Sequence, residues 1–191
     1  MENHALVIGF VLIVRWTCIS FPNKKYNIIY ADPAWSYDEN WGNGCVKHHY
    51  ETTGIEEMKK LPVADIADDN CYLYMWYTNP FVQEALDLVK AWGFKYKQTI
   101  TWIKTYKDGT PIMGLGYDFR VCTEHLILAK KGSLKRLRKD LKNVIFSPQR
   151  QHSQKPDEVR DLIIEHVGDL PRIELFARQQ VQGWDCWGNE V

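Results

Sequence analysis

The sequence lacks most of the features that would point to a disulfide-rich or metal-binding protein. Its five cysteines are odd in number, widely spaced and never form a C-x-x-C pair, which argues against a disulfide framework and against a zinc site. Acidic and basic residues balance at 24 each, so no overall charge attracts nucleic acid or an anionic membrane. We therefore expect a protein of a reducing compartment that binds no metal. We also expect that any binding of polyanions depends on a local patch of basic residues.

Long apolar runs are also missing. The most apolar segment, ALVIGFVLIV at 5–14, is too short to span a bilayer. No basic segment precedes it and no small-residue cleavage site follows it, so it does not match a secretory signal. These features predict a cytoplasmic protein without membrane attachment. We expect residues 1–23 to form an N-terminal extension or a first strand, and residues 24–191 to form one domain.

Common catalytic motifs are scarce as well. The chain has no P-loop, and the glycines at 114 and 116 follow no strand directly, so they do not match a dinucleotide-binding fingerprint. Neither H-E-x-x-H nor G-x-S-x-G occurs. The sequence therefore lacks the usual motifs of enzymes that catalyse phosphoryl transfer, metal-assisted hydrolysis or serine acyl transfer.

Short apolar runs alternate with helical patterns along the chain. The runs predict strands at 27–31, 71–77, 96–104, 125–130, 144–147 and 173–177, with a further one at 184–187. The helical patterns lie at 53–60, 80–92 and 156–166. This alternation is typical of an α/β domain with a mostly parallel sheet flanked by helices. Two long stretches without periodicity, 36–50 and 105–119, predict functional loops.

At the end of the first predicted strand stand a carboxylate, a rigid turn and a large aromatic, as Asp32-Pro33-Ala34-Trp35. Ligands of an open α/β sheet bind at the carboxyl ends of its strands. One interpretation is structural, with an Asp-Pro turn ending the strand and Trp35 in the core. The other is a pocket for a planar amine, in which a carboxylate and a backbone carbonyl accept the amino hydrogens of a purine and an aromatic face holds the base. These four residues alone leave both interpretations open.

The same four residues resemble D-P-P-W, the hallmark of the MT-A70 family of S-adenosylmethionine-dependent adenine-N6 methyltransferases. Further blocks follow in the order of that family: W-I-K-T at 102–105, G-L-G-Y and T-E-H within 114–125, H-S-Q-K-P-D-E at 152–158, I-E-L-F-A-R at 173–178, and Trp184 with G-N at 188–189. The resemblance covers about residues 24–191. Ala34 replaces the second proline of the hallmark, and we expect the chemistry to survive with a less rigid loop.

The resemblance implies a Rossmann-like methyltransferase fold in which the catalytic motif precedes the cofactor-binding strand. It implies S-adenosylmethionine as the cofactor and Asp32, Pro33, Ala34 and Trp35 as the catalytic residues, with Asp32 and Pro33 binding the adenine amino group and Trp35 walling the base pocket. The resemblance also places Asp32 among the cofactor-binding residues. It implies that Lys155 pairs with the cofactor carboxylate. The residues that it implies for the cofactor ribose and adenine are Phe176, Arg178, Asn189 and Gln180 (or its neighbour Gln179).

Without the family, several of these residues have plainer interpretations. Lys155 is then a solvated loop lysine, and Arg178 is either a salt-bridge partner or an anion clamp. Trp102 and His125 are then core residues.

The nucleic-acid substrate is suggested by one local charge cluster. Residues 130–142 carry seven basic side chains and one acidic side chain, which predicts either a surface that follows phosphates or a solvated basic loop. The residues expected to contact nucleic acid are Tyr37, Lys104, Lys135, Arg136 and Arg138.

The expected function is methyl transfer to N6 of adenine in DNA. The two long loops are expected to close around an adenine flipped out of its stack. The alternatives are an RNA adenine-N6 methyltransferase and a non-catalytic nucleic-acid-binding subunit of a methyltransferase complex. A homodimer and a heterodimer both remain open.

Overall fold

The computed structural model describes residues 20–35, 54–151 and 153–191. Seven strands occur in this part of the chain: β1 Tyr26–Ala31, β2 Ala67–Tyr77, β3 Lys95–Thr105, β4 Thr123–Lys131, β5 Val144–Pro148, β6 Arg172–Leu175 and β7 Asp185–Trp187. Its helices are α1 Ile55–Lys60, α2 Val63–Ile66, α3 Val82–Ala91 and α4 Glu158–Val167, with a 3-10 turn at Asn79–Phe81 that leads into α3. No helix in these three stretches is long and apolar enough to cross a membrane.

The strands form one sheet in the order β5-β3-β4-β2-β1-β6-β7. Four of the neighbouring pairs are parallel, and β4 runs antiparallel to both of its neighbours. The α/β class and the mostly parallel sheet are therefore confirmed. The direction of β4 has a consequence for function, because its amino end lies at the same edge of the sheet as the carboxyl ends of β1, β2 and β3.

The two faces of the sheet build two apolar cores. Side chains alternate between faces along each strand, so Ile29 and Ala31 of β1 pack on one side while Ile28 and Tyr30 pack on the other. Helices α1, α2 and α3 cover the first face, and α4 covers the second. Six of the eight tryptophans are buried, so the high tryptophan content is explained mainly by the core.

Several element boundaries differ from the sequence-based expectation. Strand β2 begins at Ala67, earlier than the predicted 71, because the polar residues after Ala67 still form part of the strand and hide its apolar pattern. Helix α4 begins at Glu158, after the proline that was expected to open it. The predicted helix start at Thr53 lies outside the described residues, and α1 has Gly54 as its N-cap.

The packing of α3 against the sheet generates a stability prediction. Leu88 is fully buried, whereas Leu86 of the same helix is only partly buried. Leu88→Ala should lower the free energy of unfolding by about 2–5 kcal/mol, because it leaves a cavity that the core cannot fill. Leu86→Ala is the matched control, with the same change in helix propensity, and should cost clearly less. Urea denaturation of both variants measures the difference, and equal losses would contradict the packing described.

Candidate active site

Four charged side chains meet at the edge of the sheet where β1 ends and β4 begins. Asp32 follows β1 directly, and Lys155 lies between β5 and α4. The ammonium nitrogen Nζ of Lys155 is 2.9 Å from Oδ2 of Asp32 and 2.9 Å from Oε1 of Glu124. On the far side of Glu124, Oε2 is 2.9 Å from Nζ of Lys104. The result is a row of alternating negative and positive charges with no net charge, which we call the charge row (Asp32, Lys155, Glu124 and Lys104).

Lys155 occupies the centre of the charge row and is largely shielded from solvent. Its side chain is only 10% exposed, and its third N–H donates to the backbone carbonyl of Ser153 at 3.3 Å. The ammonium also lies 5.7 Å from the ring centre of Trp76. A lysine has three donors, so all of them are used. The interpretation of Lys155 as a solvated loop lysine is wrong.

The two carboxylates that share Lys155 differ in their acidity. Burial raises the pKa of Asp32; Lys155 offsets only part of that effect, and the charge of Glu124 adds to it. Burial acts on Glu124 in the same direction, but Lys155 and Lys104 outweigh it and lower the pKa of Glu124. The pKa of Lys155 is raised, because its two carboxylates outweigh the effect of its own burial. The surroundings therefore favour the neutral form of Asp32 and the charged form of Glu124.

The Asp32-Pro33-Ala34-Trp35 turn is held by its tryptophan. Trp35 is 7% exposed, its indole N–H donates to the carbonyl of Trp76 at 3.1 Å, and its ring stacks on Phe81 at 5.5 Å between ring centres. Its backbone N–H donates to the Pro33 carbonyl at 2.9 Å, which leaves that oxygen one further lone pair. Trp35 thus packs in the core, as the structural interpretation expects, and in doing so it orients Asp32 and Pro33.

A cleft of about 290 Å³ opens beside Asp32 at the carboxyl ends of β1 and β6. Its lining includes Tyr30, Asp32, Ser153, Lys155, Glu174, Phe176, Arg178, Gln179 and Glu190. Of the residues predicted from the family, the cleft thus brings together Asp32, Lys155, Phe176 and Arg178. Gln180 and Asn189 are exposed and lie outside its lining, where Gln179 and Glu190 stand instead.

The backbone around the cleft adopts an uncommon conformation at two positions. Ser153 and Phe176 have φ angles of 63° and 61°, a left-handed region that non-glycine residues seldom occupy and that tends to mark functional sites. Strand β7 holds the segment after β6 in place, since the N–H of Ala177 donates to the carbonyl of Trp187 at 3.0 Å. Gly188 approaches so closely that a Cβ atom there would lie 2.2 Å from the Ala177 carbonyl oxygen. Only glycine fits at this contact.

The predicted nucleic-acid contacts are dispersed. Tyr37 lies outside the described residues. Lys104 belongs to the charge row, where Glu124 neutralises it. Lys135, Arg136 and Arg138 are exposed and follow the carboxyl end of β4, so they lie at the opposite end of the sheet from Asp32. Arg138 forms a two-fold hydrogen bond to Asp140 at 2.7 and 2.8 Å.

Sequence reasoning assigned no role to Glu124, although its T-E-H block was noted. A single acidic residue in front of an apolar run gives no indication of where it lies, and only the antiparallel direction of β4 brings it to Lys155. The next residue, His125, has hydrogen-bond partners, as its interpretation as a satisfied histidine expects, but it lies outside both apolar cores. It is half-buried, hydrogen-bonds to Asn79 Oδ1 at 2.6 Å, and stacks on Tyr77.

The loop between β3 and β4 exposes large apolar side chains at this same edge of the sheet. Met113, Leu115, Tyr117 and Phe119 are between 76% and 94% exposed. Their spacing at every second residue could have been read from the sequence. The predicted loop at 36–50 lies outside the described residues.

A family model named MT-A70 matches residues 26–190. The chain belongs to the MT-A70 family. It is 33% identical over 192 residues to the type II methyltransferase M.MunI of a Mycoplasma species, an alignment that covers 89% of this chain and 79% of that protein. The resemblance of the sequence to this family is confirmed, and the chain is a methyltransferase.

Two longer human methyltransferases also match. The human N(6)-adenine-specific methyltransferase METTL4 is 29% identical, over 88% of this chain and 38% of its own length. The catalytic subunit METTL3 of the human N(6)-adenosine-methyltransferase is 27% identical, over 87% of this chain and 28% of its own length. The chain therefore spans about a third of these two relatives.

The charge row generates a second stability prediction. Lys155→Met should lower the free energy of unfolding by about 3–5 kcal/mol, because it leaves two buried carboxylates without their shared cation. The double variant Asp32→Asn, Lys155→Met keeps the ion pair between Glu124 and Lys104, leaves no carboxylate of the charge row without a cation, and should recover most of the loss. Urea denaturation at neutral pH measures both. A single variant as stable as the wild type would show that the row contributes nothing to folding.

Proposed function

We propose that this methyltransferase transfers a methyl group from S-adenosylmethionine to the N6 amino group of adenine in DNA. The observation that carries the proposal is the state of Asp32. Lys155 holds one of its carboxylate oxygens, Oδ2, and within the described part of the chain no donor occupies the other, Oδ1. A fixed carboxylate that is 18% exposed and has one open acceptor, next to a backbone carbonyl with one open lone pair, suits an amino group with two hydrogens.

The amino nitrogen of adenine is a weak nucleophile, because its lone pair is delocalised into the ring. Asp32 Oδ1 and the Pro33 carbonyl can each accept one of its hydrogens, which favours a tetrahedral nitrogen with a localised lone pair. S-adenosylmethionine, when bound, supplies an electrophilic methyl group. As the N–C bond formed, the S–C bond of the sulfonium would break and its electron pair would go to sulfur, which would leave as a neutral thioether. The nitrogen would give up one hydrogen as a proton, and Asp32 Oδ1 is placed to accept it. The raised pKa of Asp32 suits that task.

The cleft beside Asp32 fits the cofactor by the chemistry of its lining. Arg178 offers a cation for the amino-acid carboxylate and donates to Ser153 Oγ at 3.2 Å. Gln179 and Glu190 offer polar groups for ribose hydroxyls. Lys155, by contrast, has all three donors engaged, so a cofactor carboxylate would have to displace one of its partners. We therefore assign the carboxylate to Arg178 and assign Lys155 to positioning Asp32.

The choice of DNA follows the similarity to the Mycoplasma type II methyltransferase, which this chain matches over most of both lengths. RNA is the alternative, because METTL3 is named as a subunit of an adenosine methyltransferase. We prefer DNA because this chain matches only 28% of the length of METTL3.

The decisive experiment is to incubate the protein with labelled S-adenosylmethionine and matched single-stranded DNA, duplex DNA and RNA, followed by mass analysis of the nucleosides. We expect N6-methyldeoxyadenosine from a DNA arm. Asp32→Ala and Asp32→Asn should both abolish it, because an amide presents one acceptor and a misplaced donor, while calorimetry should show cofactor affinity within a few-fold of wild type. Asp161→Asn, an exposed carboxylate on α4, is the matched control. A product in the RNA arm alone would select the alternative, and no product in any arm would favour the non-catalytic subunit.

The acidity of the charge row leads to a pH prediction. Asp32 must be ionised to accept the amino hydrogens, so kcat/KM should fall on the acid side as this group takes up a proton. Glu124→Gln removes a negative charge that raises the pKa of Asp32 and leaves Lys155 to Asp32 alone, so the acid limb should move to lower pH. The pH profile of kcat/KM measures the shift, with Glu84→Gln on α3 as the control. An acid limb at the same pH in Glu124→Gln and wild type would remove Asp32 as the titrating group.

A further inference from the structure

A second, larger cavity lies at the opposite end of the sheet, on the face covered by α4. It measures about 490 Å³, and strands β2, β3 and β4, the second half of α4 and the segment after β4 enclose it. We call it the basic cleft, because its lining includes Lys97, Lys130, Arg136, Arg138, Lys139 and Lys142. None of the residues that line the cleft beside Asp32 belongs to it.

Most of these positive charges are not neutralised. Arg138 is paired with Asp140, and Lys130 donates to the carbonyl of Leu134 at 2.8 Å. The side chains of the other four cationic residues form no hydrogen bond or ion pair with any residue that the structure describes. Like charges gathered in one concave surface repel one another, and a bound anion relieves that repulsion. Because the whole chain has no net charge, this positive field is a local property of the basic cleft.

The floor of the basic cleft favours phosphate over a nucleobase as the group that enters it. The Tyr74 hydroxyl and His166 Nδ1 are 2.6 Å apart, and the His166 ring packs on Tyr72 at 5.2 Å between ring centres. Lys130 lies over the ring of Tyr72, which is only 5% exposed. Tyr74 is 2% exposed, so neither tyrosine ring at this floor offers an open face on which a base could stack. Burial lowers the pKa of His166, and the charges of Arg136 and Lys130 lower it further, in keeping with a positive field.

Strand β4 connects the basic cleft to the charge row. Glu124 lies in the charge row and Lys130 in the basic cleft, six residues further along the same strand. At about 3.3 Å per residue this separation is about 20 Å. Successive phosphates of one DNA strand are about 3.4 Å apart along the helix axis, so the same distance spans about six nucleotides.

We propose that the basic cleft binds backbone phosphates of the nucleic-acid substrate about six nucleotides away from the adenine that is methylated. The proposal rests on the proposed function, which supplies the nucleic acid. A free phosphorylated metabolite shares the chemistry of the ligand. The exposed Lys135 extends the basic surface beyond the cavity, which favours a strand of linked phosphates over a single small molecule.

The test compares Arg136→Ala, Lys139→Ala, Lys142→Ala combined in one variant with the wild type on two duplexes. One duplex extends about ten base pairs on each side of the target adenine, and the other about three. Binding is measured by fluorescence anisotropy over a range of salt concentrations. On the long duplex the slope of log affinity against log salt should flatten by about two to three units, at about 0.9 per phosphate contact. On the short duplex the slopes of variant and wild type should agree.

The matched control is Lys59→Ala, Lys60→Ala, Lys90→Ala combined, which removes the same charge from helices on the other face of the sheet. Its slope should equal that of wild type on both duplexes. Equal slopes for the basic-cleft variant and the wild type on the long duplex would overturn the proposal. An equal change in slope on both duplexes would also overturn it. So would pyrophosphate that inhibits binding of the long duplex equally in the wild type and in the basic-cleft variant.

The readout is binding, so this test stands apart from that of the proposed function. If the salt slope of the variant flattens only on the long duplex and no methylated product forms, phosphate binding by the basic cleft is supported and the proposed reaction is rejected. If methylated DNA forms and the salt slope of the variant equals that of the wild type, the reaction is supported and phosphate binding by the basic cleft is rejected.

Discussion

A buried lysine between two carboxylates determines the layout of this methyltransferase. Burying one ion costs several kcal/mol unless partners compensate it, and Lys155 meets that condition only where Asp32, Glu124 and the Ser153 carbonyl converge. Three parts of the chain that are distant in sequence must therefore reach the same point, namely the end of β1, the start of β4 and the segment before α4. The same condition leaves Asp32 with Oδ2 engaged by Lys155 and with no donor on Oδ1 among the described residues.

The sheet separates two kinds of electrostatic surface. At one edge the charges alternate in sign and nearly cancel, which suits a reaction that needs one carboxylate of raised pKa and a small cleft. At the other end, six cationic residues line a wider cavity, and of these only Arg138 has an acidic partner among the described residues. The rigid strands between the two, and β4 in particular, set the distance at which a long polyanion would meet both.

Much of this was predictable from local sequence. Apolar runs of the right length located the strands, because period-two burial and strand propensity act within a few residues. The Asp32-Pro33-Ala34-Trp35 turn could be placed at a strand end for the same reason. The structural and functional interpretations of that turn also prove compatible, since Trp35 in the core is what orients Asp32 and Pro33. The early start of β2 was missed, because polar residues in a strand carry no periodic pattern.

The sequence by itself determined the α/β class, the strand positions, the family blocks and the excess of positive charge at 130–142. Only the tertiary structure decided the direction of β4, and with it the arrival of Glu124 at Lys155 and the placement of the basic segment away from Asp32. The physical reason is that strand direction and ion pairing are long-range properties. They depend on which segments become neighbours in the sheet and on the cost of leaving a buried charge unpaired. The residues adjacent in sequence determine neither of these.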